Sequence, residues 1–150
     1  MQKGIAGLAI AVISLLVVAG CGGGGSSTIS QQEYERKLEM VCNDGLQQRE
    51  DAFRVITQEY EELSEEEATP QVQNENLLKL IAVYEETTEE ISEIDLPEGN
   101  EKKAEEMVQE REDAAAKVQA DPQGTRPRFE TIFKKSSDLA KTFGANACVV

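Results

Sequence analysis

Leu77-Leu78-Lys79-Leu80-Ile81-Ala82-Val83-Tyr84-Glu85-Glu86-Thr87-Thr88-Glu89-Glu90-Ile91-Ser92-Glu93-Ile94 decides the fold. Leu77, Leu80, Tyr84, Thr87, Ile91 and Ile94 alternate steps of three and four, and Ile81 and Thr88 widen the stripe. That spacing returns to one face of a 3.6-residue helix, whereas a half-buried strand alternates every second residue. Glu85, Glu86, Glu89, Glu90 and Glu93 cover the other side, as a solvated face requires. A helix over about 71–94 follows. Thr69-Pro70 opens it, proline being suited to a first helical turn, and the segment Asp95-Leu96-Pro97-Glu98-Gly99-Asn100 connects it onward.

Working outward, the same period recurs. Before this helix, Leu38, Val41, Gly45, Ala52, Ile56 and Leu63 keep three-and-four spacing between charged residues, and Ser30 with Glu33 forms a capping-box pattern. A first helix from Ser30 to about Glu66 is expected. Asn43-Asp44-Gly45 either breaks it or lies on an inward face where glycine lets a neighbour approach; we read one helix with a weak point. After the connection, Ala104, Met107, Val108, Ala114, Ala115 and Val118 mark a third helix over about 101–120, stopped by Asp121-Pro122-Gln123-Gly124-Thr125-Arg126-Pro127. Phe129, Ile132, Phe133, Ser136, Leu139, Ala140 and Phe143 mark a fourth over about 128–143, with Gly144 as its left-handed C-cap. No strand signal competes. Short links favour antiparallel neighbours, so the expected fold is all-α, an antiparallel up-down four-helix bundle over residues 30–150.

Composition removes several functions. The net charge of -14 opposes nucleic-acid binding, which depends on Lys and Arg neutralising phosphates, and opposes electrostatic docking on anionic lipid. The absence of His removes Ser-His-Asp and Cys-His nucleophile pairs, Glu-x-x-His di-iron sites and most catalytic zinc sites. Without Trp, and with few Tyr and Phe, stacking platforms are poorly supplied. The reading is non-enzymatic, with no cofactor, no metal and no nucleic-acid partner.

The N-terminal segment places the chain. Lys3 precedes an apolar run from Ile5 to Ala19, a short n-region and a signal h-region. An uncleaved membrane helix is the alternative, but spanning takes around 20 residues. Leu15-Leu16-Val17-Val18-Ala19-Gly20-Cys21 resembles the lipobox of a bacterial lipoprotein, with Val18, Ala19 and Gly20 leading into the cysteine. The resemblance implies cleavage of a signal peptide, residues 1–20, and lipidation of Cys21 with a diacylglyceryl group and often an added amide-linked chain. Two or three chains anchor stably where one binds reversibly. Gly22 to Ser27, continuing through Thr28 and Ile29, then reads as a flexible tether, so 21–29 is the leash and 30–150 the domain. Its glycine run lacks the G-x-x-x-x-G-K-[ST] pattern of a phosphate loop.

With Cys21 assigned, Cys42 and Cys148 remain as an even pair in a chain bound for an oxidising compartment. A disulfide is the expected state; free buried thiols and a two-thiolate metal site are the weaker alternatives. Topology agrees, because Cys42 near the start of the first helix and Cys148 past the end of the fourth fall at one end of an up-down bundle. The lipobox, tether, early Cys42, Leu96-Pro97 joint and terminal Phe143-Gly144 before Cys148 are together similar to small helical actinobacterial lipoproteins without assigned activity.

Three constellations remain. The carboxylates Glu59, Glu61, Glu62, Glu65, Glu66 and Glu67, with those of the second helix, suit hard cations but match no calcium loop, and Lys102, Lys103 and Arg111 are placed to pair with some of them. Tyr34, Tyr60 and Tyr84 lie on or beside the apolar stripes as core or boundary residues. Arg126, Arg128, Lys134 and Lys135 form the basic cluster, a docking surface for an acidic partner or a balance of helix ends. The functional expectation is a lipoprotein anchored through Cys21 on the extracytoplasmic face of the cell membrane, binding or scaffolding an unidentified envelope protein or polymer. Gly22 after the lipidated cysteine resembles outer-membrane sorting if the host has two membranes. The alternative is a lipoprotein that binds or senses a small ligand or divalent cation.

Overall fold

The computed structural model describes residues 28–150; the expected signal segment, the expected lipidation site Cys21 and residues 22–27 of the expected tether lie outside them. The described chain is mostly helical, with one minimal strand pair: β1 (Thr28–Ile29), α1 (Gln31–Glu61), α2 (Pro70–Ser92), β2 (Leu96–Pro97), α3 (Glu101–Ala120), a single turn α4 (Pro122–Thr125) and α5 (Phe129–Thr142). Short 3-10 turns cover Arg126–Arg128 and Asn146–Cys148.

Local chemistry sets the ends. The Ser30 hydroxyl accepts from the Glu33 amide at 3.2 Å, so Ser30 caps α1, while the Glu33 carboxylate pairs with Lys37. Thr69 caps α2 through the Val72 amide, with Pro70 at the first position. α5 ends in a Schellman motif: Gly144 sits at φ 72, the Gly144 amide donates to the Lys141 carbonyl, and the Ala145 amide donates to the Ala140 carbonyl.

Two boundaries differ from expectation. α1 stops at Glu61 instead of running to about Glu66. Its last turn holds no base, and the acids that follow would crowd the negative end of the helix dipole. Ser64 instead captures the Glu67 carboxylate through its amide and its hydroxyl, at 3.0 and 2.6 Å, which starts a turn and holds that carboxyl below its usual range. The second difference is the strand pair. Thr28 and Ile29, read from sequence as the end of the tether, pair in parallel with Leu96 and Pro97, and the Glu98 amide donates to the Ile29 carbonyl. A two-residue strand has no periodicity to detect.

α1 packs on α2, α2 on α3 and α3 on α5, and the 146–148 turn returns to α1. The core is in two parts. Tyr34, Leu38, Cys42, Ile91, Met107 and Phe143 belong to one, and Ile81, Tyr84, Ala114, Val118 and Phe133 to the other. Cys42 and Cys148 are joined in the first part, with Cα atoms 4.9 Å apart.

Asn43-Asp44-Gly45 does not interrupt α1; Gly45 is buried against α2. A Cβ at Gly45 would lie 2.3 Å from Thr87 Oγ1 and 2.6 Å from Thr87 Cγ2. Alanine normally gains roughly 0.5–1 kcal/mol over glycine inside a helix, but overpacking costs roughly 1–3 kcal/mol. Thr87 is too short to swing aside, so the second effect wins. Gly45→Ala should lower urea-unfolding stability by about 1 kcal/mol, and adding Thr87→Ala should recover most of the loss. A stabilising single substitution would contradict this contact.

Candidate functional site

Between the two core parts lies a buried polar layer. On α2 it consists of Thr87 and Thr88, on α3 of Arg111, and on α5 of Ser136 and Ser137. Each continues the inward stripe of its helix: Arg111 falls between Met107 and Ala114, and Ser136 between Phe133 and Ala140.

Arg111 does not pair with surface carboxylates, as the sequence suggested; it is 2% exposed. Its guanidinium carbon stands 4.0 Å from the centre of the Tyr84 ring, Nε donates to Thr88 Oγ1 at 3.0 Å, and Nη1 donates to the Cys148 carbonyl at 3.3 Å. Two neutral oxygens and an aromatic face thus replace an anionic partner. Burial lowers the Arg111 pKa against the opposing effect of Tyr84, although a guanidinium stays protonated in a protein. Burial likewise raises the Tyr84 pKa, opposed first by Arg111; its hydroxyl lies 3.4 Å from Ser136 Oγ.

A second arginine flanks this layer. Arg49 of α1, half-buried, donates from Nη2 to the Ala147 carbonyl at 3.2 Å. The Val150 amide donates to Ser137 Oγ at 3.2 Å. Segment 147–150 is therefore held by Arg49, Arg111, Ser137 and the Cys42 sulfur. Among the described residues, the ion pairs are Lys37–Glu33, Arg54–Asp51, Lys79–Glu59, Lys134–Asp138, Lys135–Glu106, Lys135–Glu110 and Lys141–Asp138. Neither Arg49 nor Arg111 belongs to them.

Segment 147–150 also walls a groove of about 360 Å³ between α1, α2 and the start of α5. Leu46, Phe53, Leu80, Ile81, Phe129 and Val149 supply apolar surface, Tyr84 lies at its inner side, and Arg49 and Glu50 provide its charges. Phe53 is 60% exposed beside these apolar walls. A second cavity of about 440 Å³ lies between the end of α2 and α3, where Tyr34, Ile94, Val108, Glu105 and Glu112 meet.

The other sequence candidates separate. Tyr34 and Tyr84 are core residues, while Tyr60 is half-buried and accepts from Gln73 Nε2 at 3.1 Å. The basic cluster is dispersed: Arg126 bonds Gln73 and Asn74, Arg128 bonds the Gly124 carbonyl, Lys134 pairs with Asp138, and Lys135 bridges Glu106 and Glu110. Glu59 meets Lys79 at 2.8 Å, and Glu85 accepts from Gln119. Among the described residues no three His, Cys, Asp or Glu side chains gather as a metal-ligand set, and no helix is long and apolar enough to cross a membrane.

Tyr34 gives the core a pH signature. Its ring meets Phe143 edge-on at 5.1 Å, and burial pushes its phenol up from 10.0 to about 12. The neutral form is favoured in the folded state, so this contribution is complete below pH 10 and is lost as pH rises towards 12. Unfolding stability should fall over that window by at most roughly 2–3 kcal/mol from this residue. Tyr34→Phe should flatten the decline; an identical alkaline profile would show that the phenol contributes none of it.

No protein-family model matches the chain, and no curated protein or solved structure shows significant similarity to it.

Proposed function

We propose that the chain is a membrane-anchored extracytoplasmic lipoprotein, cleaved before Cys21 and lipidated on it, whose helical part is a non-enzymatic binding or scaffolding module of the cell envelope. The junction of Cys42 and Cys148 carries this reading. A buried disulfide suits an exported chain, because cytosolic thiols are kept reduced.

The helices are proposed to form an antiparallel up-down bundle. The α1–α2 pairs Gly45 with Thr87, Glu59 with Lys79 and Tyr60 with Gln73 support opposite directions, since one number rises as the other falls. Thr88 with Arg111 and Glu85 with Gln119 support the same for α2 and α3. Tyr34 at the start of α1 against Phe143 at the end of α5 favours closure of the ring of helices. In this arrangement the tether enters beside Leu96-Pro97, at the end that holds the disulfide. The opposite end, with the α1–α2 turn and Arg126, would face away from the membrane.

The binding role is supported by the groove beside Arg49, whose apolar walls and charged lip suit a ligand better than bulk water. Anchoring is tested on whole cells. The wild-type chain should sediment with membranes and resist high-salt washing, and Cys21→Ala should lose the acyl mass and its cleavage. A Cys21→Ala chain processed and retained like the wild type would overturn lipid anchoring.

A further inference from the structure

We propose that the groove between α1, α2 and segment 147–150 is a binding site for a free single-chain carboxylate, a fatty acid, with its head on Arg49 and its tail along Leu46, Phe53, Leu80 and Phe129. The inference deepens the binding-module reading above and rests on it.

Three observations select this chemistry. The first is the division of the groove into a mostly apolar wall and a charged lip made by Arg49 and Glu50, the pattern of an amphiphile's site. Its volume of about 360 Å³ falls in the range of small-molecule sites.

The second is charge. In a chain of net charge -14, Arg49 and Arg111 both lie against segment 147–150 and neither enters an ion pair among the described residues. Charges removed from water are normally matched by a partner, and a carboxylate matches the planar fork of a guanidinium. Arg111 has its needs met by Thr88, the Cys148 carbonyl and the Tyr84 face. Arg49 sends one of its N–H groups to the Ala147 carbonyl and lines the groove. It is the group that can receive a head.

The third is Phe53, an aromatic ring 60% exposed at the groove, which a tail would cover. Glu50 opposes an anion there, being a groove residue that also acts on Arg49. Its effect can therefore be read: removing its charge should strengthen binding of the acid more than that of the matching alcohol, whereas a purely apolar site would gain equally for both.

The experiment uses the full chain in phosphatidylcholine nanodiscs and a photoactivatable dodecanoate, with labelled positions mapped by mass spectrometry. Labelling is expected on the α1 and α2 segments around Phe53 and Leu80, saturable and competed by unlabelled dodecanoate. The matching dodecanol probe should label about tenfold less at equal concentration. Arg49→Met should reduce dodecanoate labelling about tenfold, Arg49→Lys should restore part of it, and Glu50→Gln should increase it. Melting curves of each variant separate lost binding from lost folding.

Equal labelling by acid and alcohol would overturn the proposal, as would labelling indifferent to Arg49→Met in a folded variant, or no labelling of the groove. If phosphatidylglycerol in the nanodisc displaces the probe, the head recognised is a bilayer phosphate and the free-acid assignment falls. None of these results touches the anchoring reading, which the Cys21→Ala fractionation decides by itself.

Discussion

Replacing Cys42 and Cys148 together by alanine should lower the unfolding free energy by about 4–5 kcal/mol, the loop-entropy value for a closed loop of this size. The two residues are 106 positions apart, so without the bond the denatured chain regains nearly the freedom of the whole helical region. The loss is a large fraction of the 5–15 kcal/mol typical of a domain. It should also be local in character. Cys148 presents its carbonyl to Arg111, and Ala147 presents its carbonyl to Arg49. Releasing segment 147–150 removes an acceptor from each guanidinium and one wall of the groove. Hydrogen exchange should therefore rise first around 144–150 and the facing turns of α1. Unfolding in urea with and without reductant measures the energy. A shift below about 1 kcal/mol would mean that helix packing alone holds the ends together and that the bond adds little.

The second large effect is expected at Phe133. This ring is fully buried, meets Tyr84 edge-on at 4.7 Å and lies against Phe129 at 4.6 Å. Phe133→Ala removes a large apolar volume from the buried face of α5, where substitutions of this kind cost about 3–5 kcal/mol. Tyr84 is the seat of the Arg111 guanidinium, so the cavity also loosens the polar layer. Phe53→Ala provides the contrast. Phe53 is exposed, and its removal should change stability by no more than about 0.5 kcal/mol. Similar losses at the two positions would mean that Phe53 is buried in solution, by a ligand or by another copy of the chain.

The sequence made the helices legible because each buries one stripe and charges the rest. Ile81, Tyr84, Thr88 and Ile91 of α2, all buried, stand at three-and-four spacing in the sequence, as do Phe133, Ser136 and Ala140 of α5. Caps were legible for the same local reason: Ser30, Thr69 and Gly144 act within a few residues of themselves. Arg111 was misplaced because charge alone suggests a surface. Its position in the series Ala104, Met107, Arg111, Ala114, Val118 was the signal, since an arginine in register with a buried stripe must be buried too. Arg49 and the groove could not be read in this way. They depend on where segment 147–150 returns, a tertiary contact about a hundred residues distant in sequence. The pairing of Thr28–Ile29 with Leu96–Pro97 is of the same kind. The length of α1 was overstated because apolar spacing continues to Leu63, whereas the acids that end the helix act through its dipole.

The intact mass of the membrane-extracted protein, before and after reduction and alkylation, tests the lipoprotein reading most directly. A chain beginning at Cys21 with added acyl mass, in which only reduction exposes two alkylatable thiols, is the predicted result. It would join the anchor, the compartment and the Cys42–Cys148 bond in one measurement. A full-length chain without acyl mass, alkylated on free thiols before reduction, would contradict all three.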